Sequence, residues 1–265
     1  MRPRRRFGQH FLHPSWTARV IAAGRYAPDD RVLEIGPGRG ALTVPLSGIV
    51  GELAAVEVDR DLAGLLRTRL PASVRIIEGD VLEVGTDALF GTAGGPPWRV
   101  VGNLPYYISS PIVMRLLEWA RSTTLVRDAT LMLQREVADR MASPPGSRQY
   151  GALSILVQLD ADVERLMTLP PDAFRPAPEV WSALVRLRFR PPAVAVGDRE
   201  RFESLVRSLF SGRRKMLSNA MKPFASARGV DAQAVLRAAG LAPTRRPETL
   251  DLQDLSRLAD AIDRA

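Results

Sequence analysis

The chain has 265 residues, enough to bury a sizeable core in one domain or two. It carries 37 Lys and Arg against 29 Asp and Glu, a formal charge of +8 that suits an anionic partner such as nucleic acid or a membrane surface. The absence of cysteine excludes disulfides and thiolate metal sites, and His10 and His13 are too few for a His-built one, so no metal is expected.

At the start, Arg2, Arg4, Arg5 and Arg6 form a basic arm, a candidate for phosphate contacts or simply a solvated terminus. The segment Phe7-Gly8-Gln9-His10-Phe11-Leu12 after it is no signal-peptide core. No apolar run approaches the roughly 18 residues of a membrane span, so a cytoplasmic protein without membrane partners is expected. Ser15 to Gly24 reads as a helix with Trp16, Val20 and Ile21 on one face, closed by Gly24.

Arg31 to Ile35 is a strand that runs into Gly36-Pro37-Gly38-Arg39-Gly40, and Ala41 to Ser47 opens the next helix. Glycines there let backbone approach a ligand, at a helix N-terminus whose dipoles favour an anionic group. The strand Leu53 to Val58 presents Glu57, with Asp59 beyond it, where an α/β nucleotide-binding fold places its ribose-gripping carboxylate. The glycine spacing is not the dinucleotide one, and Pro37 removes an amide that a pyrophosphate would use. A phosphate-free nucleoside such as S-adenosylmethionine fits better. A third strand, Val74 to Glu78, ends in Gly79-Asp80, so Asp80 could accept from an adenine amine.

The apolar run Trp98 to Val101 reads as a fourth strand, and it stops at Asn103-Leu104-Pro105-Tyr106. Asn103 offers an amide acceptor, Leu104 a backbone carbonyl whose conformation Pro105 restricts, and Tyr106 a stacking face. Two acceptors and a ring match the exocyclic amine of adenine, whose lone pair must be freed from the base before it can attack. A polar strand end with a Pro turn is the plainer alternative for these residues taken alone.

Pro111 to Ala120 is an amphipathic helix, Ala129 to Gln134 a fifth strand, Glu136 to Ala142 and Tyr150 to Leu159 helices, the latter as a crossover. Val163 to Leu169 and Ala183 to Phe189 are the last strands, joined by a Pro-rich loop that holds Phe174. Past the linker at Arg190-Pro191-Pro192 the pattern turns helical over Arg201 to Phe210, Lys215 to Met221, Asp231 to Ala239 and Asp251 to Ile262. Arg213-Arg214-Lys215 is a basic turn that could meet RNA phosphates or cap a helix.

The motifs Phe7-Gly-Gln-His-Phe-Leu12, Glu34-Ile-Gly-Pro-Gly38, Val56-Glu-Val-Asp59, Asn103-Leu-Pro-Tyr106, Leu133-Gln-Arg-Glu-Val137 and Ala173-Phe-Arg-Pro-Ala-Pro178 stand in one order along the chain. Together they resemble the KsgA (RsmA) rRNA adenine dimethyltransferases, related to the macrolide-resistance Erm methylases and to mitochondrial transcription factors of the same fold. The resemblance implies an α/β, Rossmann-like class I S-adenosylmethionine-dependent methyltransferase domain over residues 1–190, followed by a small all-helical C-terminal domain over 198–265. It implies S-adenosylmethionine as cofactor and 16S rRNA within immature small ribosomal subunits as partner, with the enzyme acting as a monomer on two adjacent adenosines of the 3′-terminal hairpin loop.

Residue by residue, His10 and Leu12 would line the methionine end of the cofactor, Gly36 and Gly38 its loop, Glu57 its ribose and Asp80 its adenine. Asn103, in the same cavity, would take the target amine with Leu104 and Pro105, while Tyr106 and Phe174 would sandwich the flipped base. Arg4, Arg5, Arg6, Arg213, Arg214 and Lys215 would be the RNA contacts. The family often has Asn where this chain has His10, and a lysine where it has Glu179. A resistance-type large-subunit methylase and a binding-only assembly factor are the alternatives; Leu104, where the resistance enzymes usually have Ile, favours the small-subunit enzyme.

Overall fold

A computed structural model describes residues 10–91 and 94–264. Arg4, Arg5 and Arg6 lie outside them. In chain order, β1 (Phe11–Leu12) and α1 (Pro14–Gly24) precede β2 (Arg31–Ile35), α2 (Thr43–Leu46), β3 (Glu52–Glu57), α3 (Arg60–Arg69), β4 (Arg75–Glu78), α4 (Thr86–Phe90) and β5 (Trp98–Asn103). Next come α5 (Ser109–Thr123), β6 (Val126–Gln134), α6 (Arg135–Ala142), α7 (Ala152–Asp160), β7 (Ala161–Leu169), β8 (Phe174–Arg175) and β9 (Ser182–Phe189). The last helices are α8 (Arg199–Ser211), α9 (Leu217–Ala220), α10 (Lys222–Ser226), α11 (Ala232–Ala238) and α12 (Leu252–Asp263).

Seven strands make one sheet in the order β4-β3-β2-β5-β6-β9-β7. The first five of these pair in parallel, β9 runs antiparallel to β6, and the central strands β2 and β5 are apolar and buried almost throughout, as a sheet covered on both faces requires. Strand order reverses at β2, which pairs with β3 on one side and β5 on the other. A crevice therefore opens at the carboxyl ends of β2 and β5.

The opposite end of the sheet is closed by charge. Arg99, at the start of β5, donates to Asp30 at 2.8 Å, to both oxygens of Asp128 at 3.0 and 3.1 Å, and to the carbonyls of Gly24 and Arg25 at 2.8 and 2.9 Å. Arg186 on β9 donates to the carbonyls of Ala23 and Gly24 at 2.7 and 2.9 Å. Two guanidinium groups thus satisfy the last carbonyls of α1, where a cation also complements the helix dipole. Val20 of α1 is packed into the core with Leu12, Val32, Val101 and Leu184.

By contacts the chain forms two compact units, residues 1–138 with 162–190, and 139–161 with 191–265. Expected as a crossover of the sheet domain, α7 instead belongs to the helical unit, because its run Ala-Leu-Ser-Ile-Leu-Val is almost wholly apolar and packs on α8. Within that unit Asp160, 1% exposed, is held by both guanidinium nitrogens of Arg199 at 2.6 and 3.0 Å, and the Tyr150 hydroxyl donates to the Leu250 carbonyl at 2.8 Å. Phe202, Leu205, Val206 and Leu209 of α8 form its core with Leu255 and Leu258 of α12.

Three further differences from the sequence reading are local. The helix expected over Ala41 to Ser47 is the four-residue α2, since Pro45 sits inside it. The helix expected over Lys215 to Met221 is the four-residue α9, and a second short helix, α10, follows it with Pro223 in its first turn. Helices α3 and α4 were not foreseen.

Candidate active site

Four strand ends converge on one cavity. It is lined by Gly36, Pro37 and Gly38 after β2, Glu57 at the end of β3, Asp80 after β4, and Asn103, Leu104, Pro105 and Tyr106 at and after β5, together with His10 and Leu12. Every candidate of the cofactor set is therefore in one place. The N-terminal residues get there by long-range pairing: β1 runs antiparallel to β8, with Leu12 opposite Phe174, and the His13 amide donates to the Ala173 carbonyl at 2.8 Å.

The glycine loop is shaped from within. Gly36 and Gly38 have φ of +67° and +58°, values that favour glycine, and a Cβ at Gly38 would come within 3.0 Å of the Phe11 ring. At Gly36 a Cβ would meet nothing within 4 Å, so the cavity stands open there. Glu57 is buried, and its two oxygens accept from the amides of Gly38 and Asp59, each at 2.9 Å. Burial, opposed by these bonds and supported by the charge of Asp59, leaves the Glu57 carboxyl above its ordinary pKa. Asp59 itself caps α3 through the amides of Asp61 and Leu62, which gives it a helix-starting role instead of a ligand one.

Sequence reasoning passed over Glu34. It lies on β2, is 2% exposed, lines the same cavity, and its Oε2 has no hydrogen-bond partner among the described residues. Burial first, and then the negative charge of Glu57, push its pKa up to about 8. A lone carboxylate inside the apolar run Val-Leu-Glu-Ile was the available signal, since an unpaired acid is costly in a strand buried on both faces.

At the other wall, the Asn103 Nδ2 donates to the His10 carbonyl at 2.6 Å. That bond turns the amide so that Oδ1 is its free acceptor. Neither this oxygen nor the Leu104 carbonyl accepts a hydrogen bond among the described residues. The Tyr106 ring stacks on His10 with centroids 5.5 Å apart and 23° between planes, and its hydroxyl is 2.7 Å from the Ser182 Oγ. Burial leaves the Tyr106 phenol above its ordinary pKa, so it stays neutral. His10 Nδ1 lies 2.7 Å from the Pro176 carbonyl, which fixes the proton on that nitrogen. Ser182, 76 residues from Tyr106, gave no signal in the sequence.

Phe174 is a correction. Its side chain is 0% exposed, does not line the cavity, and belongs to the core with Leu12, Leu169 and Leu184. Pairing with β1 turns it inward, and the ring found against Tyr106 is that of His10. The basic turn is also divided. Arg213 is partly buried and donates to the Tyr150 carbonyl at 3.2 Å, whereas Arg214 and Lys215 are exposed.

These residues suit a cationic nucleoside. Pro37 has no amide, that of Gly38 is spent on Glu57, and α2 is too short to cradle a diphosphate, while carboxylates with spare acceptor capacity match ribose hydroxyls, an adenine amine and a positive charge. Fold and cavity together define an S-adenosylmethionine-dependent methyltransferase. The model of the family described as "Ribosomal RNA adenine dimethylase" matches residues 1–257, and the chain belongs to that family.

The chain is 42% identical over 261 residues to a protein of Xylella fastidiosa named ribosomal RNA small subunit methyltransferase A, covering 97% of this chain and 95% of that one. A protein of the same name from Xanthomonas axonopodis is 45% identical over 96% of this chain and 94% of its own. Among solved structures, a dimethyladenosine transferase from Plasmodium falciparum superposes with a TM-score of 0.78 at 24% identity, covering 96% and 98% of the two chains, and shows the shared fold. The 23S rRNA methyltransferase ErmE does so with a TM-score of 0.67 at 27% identity, covering 96% and 99%. The protein is thus an rRNA adenine methyltransferase that uses S-adenosylmethionine.

Proposed function

We propose that the enzyme dimethylates two adjacent adenosines in the 3′-terminal hairpin loop of 16S rRNA, acting as a monomer on immature small subunits in the cytoplasm. The observation that carries this reading is the pair of unengaged acceptors, Asn103 Oδ1 and the Leu104 carbonyl, beside the Tyr106 ring. Two acceptors that take the two hydrogens of an adenine amine favour its pyramidal form, and their effect grows as positive charge develops on nitrogen. When bound, the cofactor supplies an activated methyl group on a sulfonium. Glu57 would hold the ribose, Asp80 the cofactor adenine, His10 and Leu12 the methionine end, and Pro105 keeps the Leu104 carbonyl extended toward the target. Tyr106, fixed by Ser182 and stacked on His10 by one face, would offer its other face to the base, which must leave its helix to arrive. Arg214 and Lys215 are exposed and available to phosphates, so RNA affinity should fall steeply with salt.

The relatives at 42% and 45% identity carry the small-subunit name, against 27% for the large-subunit enzyme ErmE, which supports the small subunit as target. The test supplies methyl-labelled cofactor with immature small-subunit particles and, separately, large-subunit particles, both from cells lacking the dimethylation. Dimethyladenosine in the small-subunit RNA alone is expected. Label in the large subunit would assign a resistance-type reaction, and binding without label would leave an assembly role only.

A further inference from the structure

The protein has four tryptophans and four tyrosines, and six of these eight rings are covered. Trp16 lies under Arg19, Trp98 under Arg31 and Trp119 against Phe90; Tyr26 lies under Arg99, Tyr106 on His10 and Tyr150 against Phe210. Tyr107 and Trp181 are the exceptions. They are 62% and 46% exposed, and neither has a ring or cation partner among the described residues. Both stand at the end of the sheet on which the cavity opens, Tyr107 after β5 and Trp181 just before β9. The Tyr106 hydroxyl and the Ser182 Oγ meet at 2.7 Å, and Tyr107 and Trp181 are the chain neighbours of those two residues. Tyr107 also lines the cavity.

Large bare rings beside a site that admits a nucleobase are what an unpaired strand needs, because every base has a face to stack and a stacked base contributes about 1–3 kcal/mol. Charge gives the strand a direction. The Arg135 amide donates to the Trp181 carbonyl at 2.9 Å, and the Arg135 side chain is exposed with no acidic partner among the described residues. Two residues before Trp181 in the chain stands Glu179, also exposed, which repels a phosphate. The backbone is therefore drawn toward Arg135 and away from Glu179.

We propose that Tyr107 and Trp181 form an aromatic ledge that stacks the unpaired nucleotides next to the target adenosine, with Arg135 on their phosphate. This rests on the enzyme's acting on unpaired RNA, and it adds the residues that position the neighbouring bases. The test uses the full chain and a protein-free RNA hairpin with an adenosine-containing loop. Binding should quench the tryptophan emission of the wild type, and Trp181→Phe should remove most of that quench while weakening binding by less than about threefold, since a ring is kept. Trp181→Ala should weaken binding of the hairpin by about 5- to 150-fold with cofactor affinity intact, and Tyr107→Ala should weaken it over the same range.

Alanine variants that bind the hairpin as the wild type does, or a quench that survives Trp181→Phe, would overturn the ledge. So would a Trp181 response to protein-containing particles alone, which would assign the rim to a protein partner. Because binding and quench are read without turnover, a wild type that binds the RNA through Trp181 but methylates no particle would break the proposed reaction and leave the ledge standing.

Discussion

Strand β5 begins at a buried arginine cluster and ends at the methyl-transfer site, and the two ends handle buried charge in opposite ways. At the Arg99 end every charge has a counter-charge. Burial alone would raise Asp30, but the Arg99 hydrogen bond and the Ala27 amide hold its carboxyl below the ordinary value; burial would lower Arg99, but Asp30 and Asp128 keep it raised. At the Asn103 end, Glu34 and Glu57 lie buried near each other, Glu34 with an unpartnered oxygen, and both carboxyls are raised. In the first arrangement the charges are paired without a ligand. The second has acceptors to spare, which is what a sulfonium nucleoside and an adenine amine require.

Breaking the complete end should cost the most stability. Arg99→Met leaves Asp30 and Asp128 buried, but Arg127 still reaches both at 3.0 and 3.1 Å, so the loss should be about 3 kcal/mol, the lower end for a broken buried pair. Denaturant unfolding measures it, and a loss under about 1 kcal/mol would show the cluster to be dispensable.

The incomplete end should respond to pH instead. Folded Glu34 keeps its proton to about pH 8, whereas the unfolded chain releases it near 4.5. Its contribution is fully present below 4.5 and is lost as pH rises through about 8. Glu34→Gln removes that loss, so its Tm relative to the wild type should climb between about pH 5 and pH 8.5. A constant difference would mean that Glu34 is ionised in the folded protein.

A smaller effect separates the core from the site. Phe174→Leu, a swap inside the cluster of Leu12, Leu169 and Leu184, should cost under about 1.5 kcal/mol and change turnover by less than about twofold. A large loss of turnover with intact stability would return Phe174 to the target base.

What the sequence made legible follows from the range of the interactions. Strand ends that carry Glu57, Asp80 and Asn103 announce themselves locally, because a polar residue closing a β-branched run has little to do in a core. Phe174 has no such local mark. Its direction is set by pairing with Leu12, more than 160 residues away in the chain. The same holds for Arg99, whose partners are Asp30 just before β2 and Asp128 on β6, and for α7, whose periodicity reads as helix but says nothing of which unit buries it. Tyr106 was read as a stacking ring for the target base, while its neighbour His10 and its anchor Ser182 emerge only in three dimensions.

The most direct test of the Asn103 end is a paired measurement on Asn103→Ala: the cofactor dissociation constant by calorimetry and the single-turnover rate of methyl transfer to small-subunit RNA. If Asn103 Oδ1 acts on the target amine, the rate should fall about 100- to 1,000-fold while cofactor affinity changes less than about threefold. Equal losses in both would place Asn103 in the cofactor site alone and contradict the account.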